Sequence, residues 1–192
     1  MVTLNALNEY WLLRGEHYLG NDGYRLAKRW HTQQERHFVE LVKASQPQTI
    51  IEVGCGFGRM TKAVALAIPG IRILASDISS HQLHHARKHC AGLNAEFSEY
   101  DLYDDSPFPM VADLAMAAEV FYHLPQSILR LVVARIFDAA PILIHDYDPQ
   151  TAPGSNAGQH YFSHDYASVY GSMGLKCEDK RLGDYGFWVV SK

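Results

Sequence analysis

Residues 49–61 read Thr-Ile-Ile-Glu-Val-Gly-Cys-Gly-Phe-Gly-Arg-Met-Thr, and this stretch decides the fold. Its first five residues are apolar or β-branched apart from Glu52, which predicts a buried strand. Gly54, Gly56 and Gly58 then permit a tight turn with positive φ and let a ligand lie against bare backbone. The helix predicted to follow adds free N–H groups at its start. A strand, a glycine loop and a helix in this order predict a ligand-binding turn.

Short β-rich runs and helical stretches alternate after residue 47, which predicts parallel strands joined by crossover helices. The chain ends differently, because two β-rich runs flank the turn-forming residues 183–186 and predict an antiparallel hairpin. The predicted strands cover residues 49–53, 71–76, 95–100, 113–118, 142–145, 175–182 and 187–190. The sequence therefore predicts an α/β fold with a doubly wound, mainly parallel seven-stranded sheet and a C-terminal hairpin.

Two helices are predicted from apolar residues at helical spacing. The stripe before the first strand comprises Trp30, Phe38, Leu41 and Val42, and a later stripe comprises Ile128, Leu131, Val132 and Ile136. Pro47 ends the first of these helices and turns the chain into the strand. We expect residues 1–46 to form an N-terminal helical lid or flank and residues 47–192 to form the single ligand-binding domain.

Glu52, two residues before the first glycine, indicates the charge of the ligand. A glycine loop alone is weak evidence, because dinucleotide-binding proteins also have one. A carboxylate at this point would repel a pyrophosphate but attract the ammonium group of an aminoacyl ligand. The spacing GxGxG, instead of GxGxxG, also departs from the dinucleotide pattern. These residues favour a nucleoside with a cationic tail.

Two further acids close the next two predicted strands. Asp77 ends the second strand, where an acid reaches ribose hydroxyls in such folds. Asp101 ends the third strand, where its carboxylate would accept the exocyclic amino group of adenine and Leu102 would offer a backbone contact. Simpler roles exist for both acids, since Asp77 is also a good helix N-cap and Asp101 lies in an acidic loop.

These motifs resemble those of the class I S-adenosylmethionine-dependent methyltransferases over roughly residues 47–192. The resemblance implies a Rossmann-like fold, a methyltransferase activity and S-adenosylmethionine as the cofactor. It also implies that the motif at the fourth strand corresponds to residues 119–125, although many relatives place the acid directly before the histidine. The cofactor-binding residues expected from the acids, the loop and this motif are Glu52, Gly54, Cys55, Gly56, Gly58, Asp77, Ile78, Asp101, Leu102 and Glu119.

Candidates for catalysis follow the fourth and fifth strands, whose ends face the expected substrate. His123 is either a base or a structural hydrogen-bonding residue, and His145 or Asp146 is a candidate for substrate contact. If the acceptor is a hydroxyl or an amine, the candidates for the base are His123 and His145, ahead of Asp146. His84, His85 and His89 fall on a helix face that we expect to be solvated. Several acids and histidines of residues 145–165 have metal-ligand chemistry, but no specific spacing, so no metal site is predicted.

Aromatic residues near the N-terminus suggest a cover for the cofactor. Tyr10 and Tyr18 lie in the stretch Tyr-Trp-Leu-Leu-Arg-Gly-Glu-His-Tyr, which either packs as an ordinary amphipathic helix or reaches the site. Aromatic rings attract a sulfonium by cation–π contact. We expect Tyr10 or Tyr18 to contact the cofactor.

Composition limits the partners. The 192 residues carry a formal net charge of -4, which gives no electrostatic footprint for nucleic acid. The three cysteines form no CxxC pair, and neither a signal peptide nor an apolar segment of membrane-spanning length is evident. We therefore expect a cytoplasmic protein with a small-molecule methyl acceptor and no nucleic-acid or membrane partner. The sequence leaves the oligomeric state open, with a homodimer as one alternative.

The reaction expected from the resemblance is an in-line displacement at the sulfonium methyl group by an atom of the acceptor. Two alternatives stay open on the sequence. A catalytically silent S-adenosylmethionine-binding sensor or scaffold would carry the same cofactor residues. An NAD-dependent oxidoreductase would use a similar sheet, but Glu52, the glycine spacing and the terminal hairpin tell against it.

Overall fold

The computed structural model describes residues 9–13, 28–148 and 161–192, and a short helical segment occupies residues 9–13. The later elements are, in chain order, α1 (Lys28–Ala44), β1 (Thr49–Val53), α2 (Arg59–Ala67), β2 (Arg72–Asp77), α3 (Ser80–His89), β3 (Ala95–Glu99), β4 (Leu114–Ala117), a 3-10 turn (Phe121–His123), α4 (Gln126–Ala139), β5 (Ile142–Tyr147), α5 (Tyr166–Ser172), β6 (Lys176–Leu182) and β7 (Tyr185–Ser191).

The seven strands form one sheet in the order β3-β2-β1-β4-β5-β7-β6. Strands β1 to β5 pair in parallel, whereas β7 is antiparallel to both β5 and β6. The strand order reverses between β1 and β4, and the crevice at such a reversal is where open α/β sheets bind ligands. The doubly wound, mainly parallel sheet with a terminal hairpin is confirmed.

Helices cover both faces of the sheet, because the central strands are apolar on both sides. Side chains of α1, α2 and α3, such as Phe38, Val64 and Leu83, form one core with the strands. Side chains of α4 and α5, such as Leu129 and Tyr170, form the other. The sheet is therefore held between two apolar layers, and its carboxyl edge is left to the connecting loops.

One predicted stripe is wrong at a single residue. Ile128, Val132 and Ile136 of α4 are buried as expected, but Leu131 is 60 % exposed and Leu129 is fully buried instead. Helix α4 carries apolar residues around most of its circumference, so spacing alone does not distinguish its buried face. All the predicted strand ends lie within two residues of the observed ones, and β5 and β7 are longer than predicted.

The terminal hairpin has a tighter turn than predicted. Strand β6 ends at Leu182 and β7 begins at Tyr185, which leaves Gly183 and Asp184 as the loop, and Gly183 has a φ of 65°. Tyr185 and Gly186, predicted in the turn, pair with Leu182 and Arg181 as strand residues.

The predicted N-terminal segment is described at residues 9–13 and 28–46. Phe38 and Val42 of α1 are fully buried against the sheet core, and the helix ends at Ala44, shortly before Pro47. The side chain of Trp30 lies outside the described part. Helix α1 thus packs onto the domain as a flank, and the division at residue 46 remains a prediction.

Candidate active site

A cavity of about 390 Å³ lies at the carboxyl ends of β1, β2 and β4. This volume falls in the range of small-molecule pockets. Ten of the sequence-predicted residues line it: Glu52, Gly54, Cys55, Gly56, Asp77, Ile78, Asp101, Leu102, Glu119 and His123. The structure therefore brings residues from four separate loops to one site.

The glycine loop has two close approaches. A Cβ atom on Gly54 would lie 2.5 Å from Cγ2 of Val120, and one on Gly58 would lie 2.9 Å from Sγ of Cys90. Gly58 is absent from the residues that line the cavity. Gly58 allows α2 to pack closely against α3, and its contact with a ligand stays a prediction.

Glu52 is a buried carboxyl group at the floor of the cavity, with 2 % of its surface exposed. Oγ1 of Thr61, in the first turn of α2, donates a hydrogen bond to Oε2 of Glu52 at 2.5 Å. Burial raises the pKa of Glu52 to about 8, an effect that this hydrogen bond and the charge of Arg59 only partly oppose. A cation bound here would favour the ionised form.

Asp77 braces the glycine loop from the end of β2. Its Oδ2 accepts the backbone N–H of Gly56 at 2.8 Å, and its Oδ1 accepts the N–H of Ser79 at 2.9 Å. Ser79, not Asp77, is the N-cap of α3, because its side chain accepts the N–H of Gln82. Each carboxylate oxygen keeps a second lone pair for a ligand hydroxyl.

Asp101 and its neighbours form the opposite wall. Oδ1 of Asp101 accepts the N–H of Tyr103 at 2.8 Å, and Arg135 donates to the carbonyl oxygen of Leu102 at 2.5 Å. Tyr103 also lines the cavity, and its shielded hydroxyl has no hydrogen-bond partner among the described residues. The hydroxyl of Tyr103 is therefore an unpaired donor and acceptor at this wall, and the sequence did not reveal it.

Arg59 is a further lining residue that sequence reasoning missed. Its guanidinium lies 3.2 Å from Oε1 of Glu35 and 3.7 Å from Oε1 of Glu119, and only 11 % of the side chain is exposed. It also donates to Oε1 of Gln34 at 2.8 Å. Its place directly after the glycine loop, at the first position of α2, was the available signal.

Asp146 lies behind the cavity and does not line it. Its Oδ2 accepts a hydrogen bond from Nε2 of Gln34 at 2.6 Å, and its Oδ1 accepts the N–H of Glu119 at 2.7 Å. Burial, with the nearby charge of Glu119, raises the pKa of Asp146 to about 7. Glu119 has a φ of 61°, so Asp146 holds a strained residue of the cavity wall, and its substrate contact stays a prediction.

His145 lies inside the core, with none of its surface exposed. Nδ1 is 2.9 Å from the carbonyl oxygen of Asp146, and Nε2 is 2.5 Å from Oη of Tyr170. Burial lowers the pKa of His145 to about 3, so the ring is neutral. His145 therefore does not line the cavity, and its substrate contact stays a prediction.

His123 and the helical segment 9–13 meet at the cavity mouth. The ring of His123 lies 4.2 Å from that of Trp11, and Tyr10 packs edge-on against Trp11 at 4.9 Å. Trp11, which was not among the predicted contacts, lines the cavity, whereas Tyr10 does not. Tyr18 lies outside the described residues. His84 and His89 are exposed and His85 is partly exposed, as the solvated face predicts.

A family model described as a methyltransferase domain matches residues 50–140, from β1 to the end of α4. The match covers the glycine loop, Asp77, Asp101 and the motif at the fourth strand. Residues 50–140 therefore match a methyltransferase domain, and the sheet has the Rossmann-like methyltransferase fold. A search of curated protein sequences found no match.

Solved methyltransferase structures share the fold. The magnesium protoporphyrin IX methyltransferase of Synechocystis PCC 6803, solved with S-adenosylhomocysteine, is 18% identical with a TM-score of 0.72, and the match covers 98% of both chains. An O-methyltransferase family protein of Burkholderia thailandensis is 17% identical with a TM-score of 0.76, over 100% of this chain and 63% of that one. Human N-acetylserotonin methyltransferase, solved with S-adenosylmethionine, is 18% identical with a TM-score of 0.66, over 98% of this chain and 54% of that one.

The magnesium protoporphyrin IX methyltransferase was also solved with bound S-adenosylmethionine. The donor set on the cavity walls fits it, because acids and a guanidinium lie together with bare glycine backbone and the unpaired hydroxyl of Tyr103. Within the described ranges, no helix has both the length and the apolar character to cross a membrane. The same residues contain no cluster of three or more side chains suited to a metal ion.

Proposed function

We propose that this methyltransferase binds S-adenosylmethionine in the 390 Å³ cavity and transfers its methyl group in line to a small-molecule acceptor. The observation that carries the proposal is the division of charge within one cavity. Glu52 and Arg59 lie next to the glycine loop, whereas Asp77 and Asp101 follow the ends of the next two strands. A zwitterionic amino-acid tail suits the first pair, and a nucleoside suits the second.

The amino-acid tail would bind between β1 and α2. Glu52 would accept the ammonium group, and Arg59 would donate to the carboxylate, for which a guanidinium has matching geometry. Glu35 and Glu119 flank Arg59 and hold it at the cavity wall. The network through Gln34 to Asp146 keeps this wall in place.

The nucleoside would bind along the carboxyl ends of β2 and β3. Asp77 would accept the ribose hydroxyls with the lone pairs that Gly56 and Ser79 leave. Asp101, Leu102 and Tyr103 would surround the adenine, with Ile78 and Cys55 as apolar lining. The glycine loop lets the ligand backbone approach closely.

The bound cofactor supplies a methyl group on a positively charged sulfur, a leaving group that needs no activation. The residues of the chain therefore mainly align the acceptor and exclude water. His123 and Trp11 lie at the cavity mouth, where an acceptor would enter. His123 is the residue we propose to take a proton from an acceptor hydroxyl or amine through its ring nitrogen.

The negative net charge of the chain and the names of its structural neighbours support a small-molecule acceptor. The names of two of them specify magnesium protoporphyrin IX and N-acetylserotonin as methylated compounds. The formal net charge of -4 disfavours a nucleic-acid acceptor.

Calorimetric binding tests the proposal. We expect S-adenosylmethionine and S-adenosylhomocysteine to bind to the wild type with micromolar dissociation constants, and NAD not to bind. Asp77→Asn should weaken both ligands at least tenfold, because an amide cannot accept as many hydrogen bonds. Asp113→Asn, at the opposite edge of the sheet, is the matched control. Binding of NAD alone, or equal affinity in Asp77→Asn, would contradict the assignment.

His123 is tested separately by formation of S-adenosylhomocysteine from S-adenosylmethionine and an acceptor panel. His123→Asn should lower the rate about 100-fold or more with cofactor affinity unchanged. It should also remove the fall in rate that protonation of the base causes at low pH. An unchanged pH profile would exclude His123 as the base. Tight cofactor binding with no turnover by any acceptor would favour a silent binding protein.

A further inference from the structure

Gln34 of α1 is a buried amide on an otherwise apolar helix face. Phe38 and Val42 follow it at intervals of four residues, and none of the three side chains is more than 2 % exposed. Residues spaced by four lie on one face of a helix, here the face that packs on the sheet. A polar group buried at such a position costs free energy unless it is hydrogen-bonded. The hydrogen bonds of Gln34 therefore indicate why an amide stands here.

Both ends of this amide are hydrogen-bonded. Its Oε1 accepts from Nη2 of Arg59 at 2.8 Å, and its Nε2 donates to Oδ2 of Asp146 at 2.6 Å. Because a guanidinium group can only donate, the amide oxygen must face Arg59 and the amide nitrogen must face Asp146. One side chain of α1 thus joins the first residue of α2 to a residue near the end of β5.

Helix α1 holds the guanidinium group of Arg59 at two points. Glu35, the residue after Gln34, has its Oε1 3.2 Å from Nη1, whereas Gln34 accepts from Nη2. These two contacts use only part of the N–H donors of a guanidinium group. Two contacts also fix the orientation of a planar group, and Arg59 lines the cavity. The remaining donors are therefore presented to a ligand in a defined direction.

Asp146, at the other end of the amide, is held by the sheet. It lies within β5, where it pairs with Phe187 of β7, and it is only 6 % exposed. Its Oδ1 accepts the backbone N–H of Glu119 at 2.7 Å. A side chain on a strand with both oxygens bonded has little freedom to move, so it is a rigid support for a neighbouring group. The position of Gln34, and through it that of Arg59, is thus set by the sheet.

We infer that Gln34 is a positioning residue that orients Arg59 to receive the carboxylate of the cofactor's amino-acid tail, so that α1 completes the cofactor site. The inference rests on the proposed function for the contact between Arg59 and the tail. Helix α1 lies outside residues 50–140, the range that matches the methyltransferase domain. Gln34 itself does not line the cavity, so its effect is confined to ligands that carry the carboxylate.

Gln34→Met removes both hydrogen bonds and keeps the approximate size of the side chain. Calorimetry should show a loss of affinity for S-adenosylmethionine of about tenfold, the effect typical of a residue that orients a binding group. Methylthioadenosine lacks the amino-acid tail, so its affinity should change less than about twofold. Gln33→Met is the matched control, since Gln33 accepts from the hydroxyl of Tyr185 at 3.2 Å, and both affinities should be unchanged. Equal losses for the two ligands in Gln34→Met, or no loss, would overturn the inference.

An exchange of acid and amide tests the polarity of the bond between Gln34 and Asp146. Gln34→Glu alone sets two carboxyl groups against each other and should weaken S-adenosylmethionine binding about tenfold or more. Combined with Asp146→Asn, the new amide would donate to the new carboxylate, which would still accept from Arg59. The amide oxygen would still accept the N–H of Glu119. The double variant should therefore bind within about threefold of the wild type. Affinity as low as in Gln34→Glu would overturn the inference.

A double-mutant cycle tests whether Gln34 acts through Arg59. In a chain that carries Arg59→Gln, the further change Gln34→Met should lower S-adenosylmethionine affinity less than about twofold, because the group that it orients is already absent. Fully additive losses would overturn the inference.

The same titrations distinguish failure of this inference from failure of the proposed function. A wild type that binds no S-adenosylmethionine contradicts the proposed function and the inference together. A wild type that binds it as tightly as Gln34→Met does contradicts only the inference.

Discussion

Thr61 donates a hydrogen bond to the buried carboxyl group of Glu52, and this bond joins the end of β1 to the first turn of α2 across the glycine loop. The bond does not offset burial, since the pKa of Glu52 is raised to about 8. At neutral pH the free protein therefore carries a mainly protonated Glu52. A cationic ligand must displace that proton in order to pair with the carboxylate.

Cofactor affinity should accordingly rise with pH between about pH 6 and 7.5, by up to tenfold per unit, because binding releases one proton. Calorimetry in two buffers with different ionisation enthalpies measures the released proton directly. Glu52→Gln keeps the size of the side chain but cannot ionise, so its affinity should be lower at pH 7.5 and flat over the range. A wild-type affinity that does not change with pH would contradict the role of Glu52.

Gly58→Ala should destabilise the protein more than Gly92→Ala. Both glycines have a φ of 83°, so the backbone strain of alanine is the same. A Cβ atom on Gly58 would meet Sγ of Cys90 and Cβ of Ala86, whereas one on Gly92 would meet nothing within 4 Å. We expect a loss of about 1–2 kcal/mol for Gly92→Ala and an additional loss of about 1–3 kcal/mol for Gly58→Ala. Urea unfolding measures both, and equal losses would show that α2 and α3 adapt to the extra methyl group.

The sequence predicted the sheet and most of the cavity because their signals are local. The strand, the glycine loop and Asp77 fall within 29 residues, and strand ends in parallel sheets meet at one edge. The orientation of a residue past a strand end is not local. Both His123 and His145 were predicted near the carboxyl ends of neighbouring strands, yet His123 lines the cavity and His145, inside β5, is buried with Tyr170.

Contacts between distant parts of the chain could also not be predicted from the sequence. Gln34 and Asp146 are separated by 112 positions, and neither belongs to a motif that would pair them. The exposure of Leu131 could likewise not be predicted from the sequence. Its helix is apolar on too wide an arc for periodicity to identify the buried face, and packing against α5 and the sheet decides it.

Asp146→Asn should reduce the dependence of stability on pH. The pKa of Asp146 is about 7 in the folded protein and about 3.9 in an unfolded chain, so the native state binds more protons between these values. The stability that its protonated form contributes is complete below pH 4 and is lost as pH rises to about 7. We expect the wild type to lose roughly 2 kcal/mol more than the variant between pH 5 and 7.

Asp113→Asn is the matched control for that experiment. Backbone N–H groups of Gln48 and Thr49 lower the pKa of Asp113, so its contribution is lost only as pH falls below the usual range for a carboxyl group. Its substitution should shift stability by the same amount at pH 5 and pH 7. Identical pH profiles for Asp146→Asn and the wild type would show that the carboxyl group is ionised in the folded protein.

Tyr170→Phe should separate stability from cofactor binding. The hydroxyl of Tyr170 is the partner of Nε2 of His145, and both side chains are fully buried. Its removal leaves a buried acceptor unsatisfied, which we expect to cost about 1–3 kcal/mol of unfolding free energy. Calorimetry should show unchanged affinity for S-adenosylmethionine, because neither residue lines the cavity. A large loss of affinity with little loss of stability would restore a direct role for His145.

Arg59→Gln should weaken S-adenosylmethionine binding about tenfold to 100-fold, because the carboxylate of the ligand loses a charged partner. Methylthioadenosine, which has the nucleoside and sulfur but lacks the amino-acid tail, should bind equally to the variant and the wild type. Arg36→Gln is the matched control, since Arg36 pairs with Glu40 on the exposed side of α1. Calorimetry with both ligands on the three proteins tests whether Arg59 contacts the amino-acid tail. If methylthioadenosine binding falls as much as cofactor binding, Arg59 supports the cavity wall through Gln34 and Glu119 and does not contact the amino-acid tail.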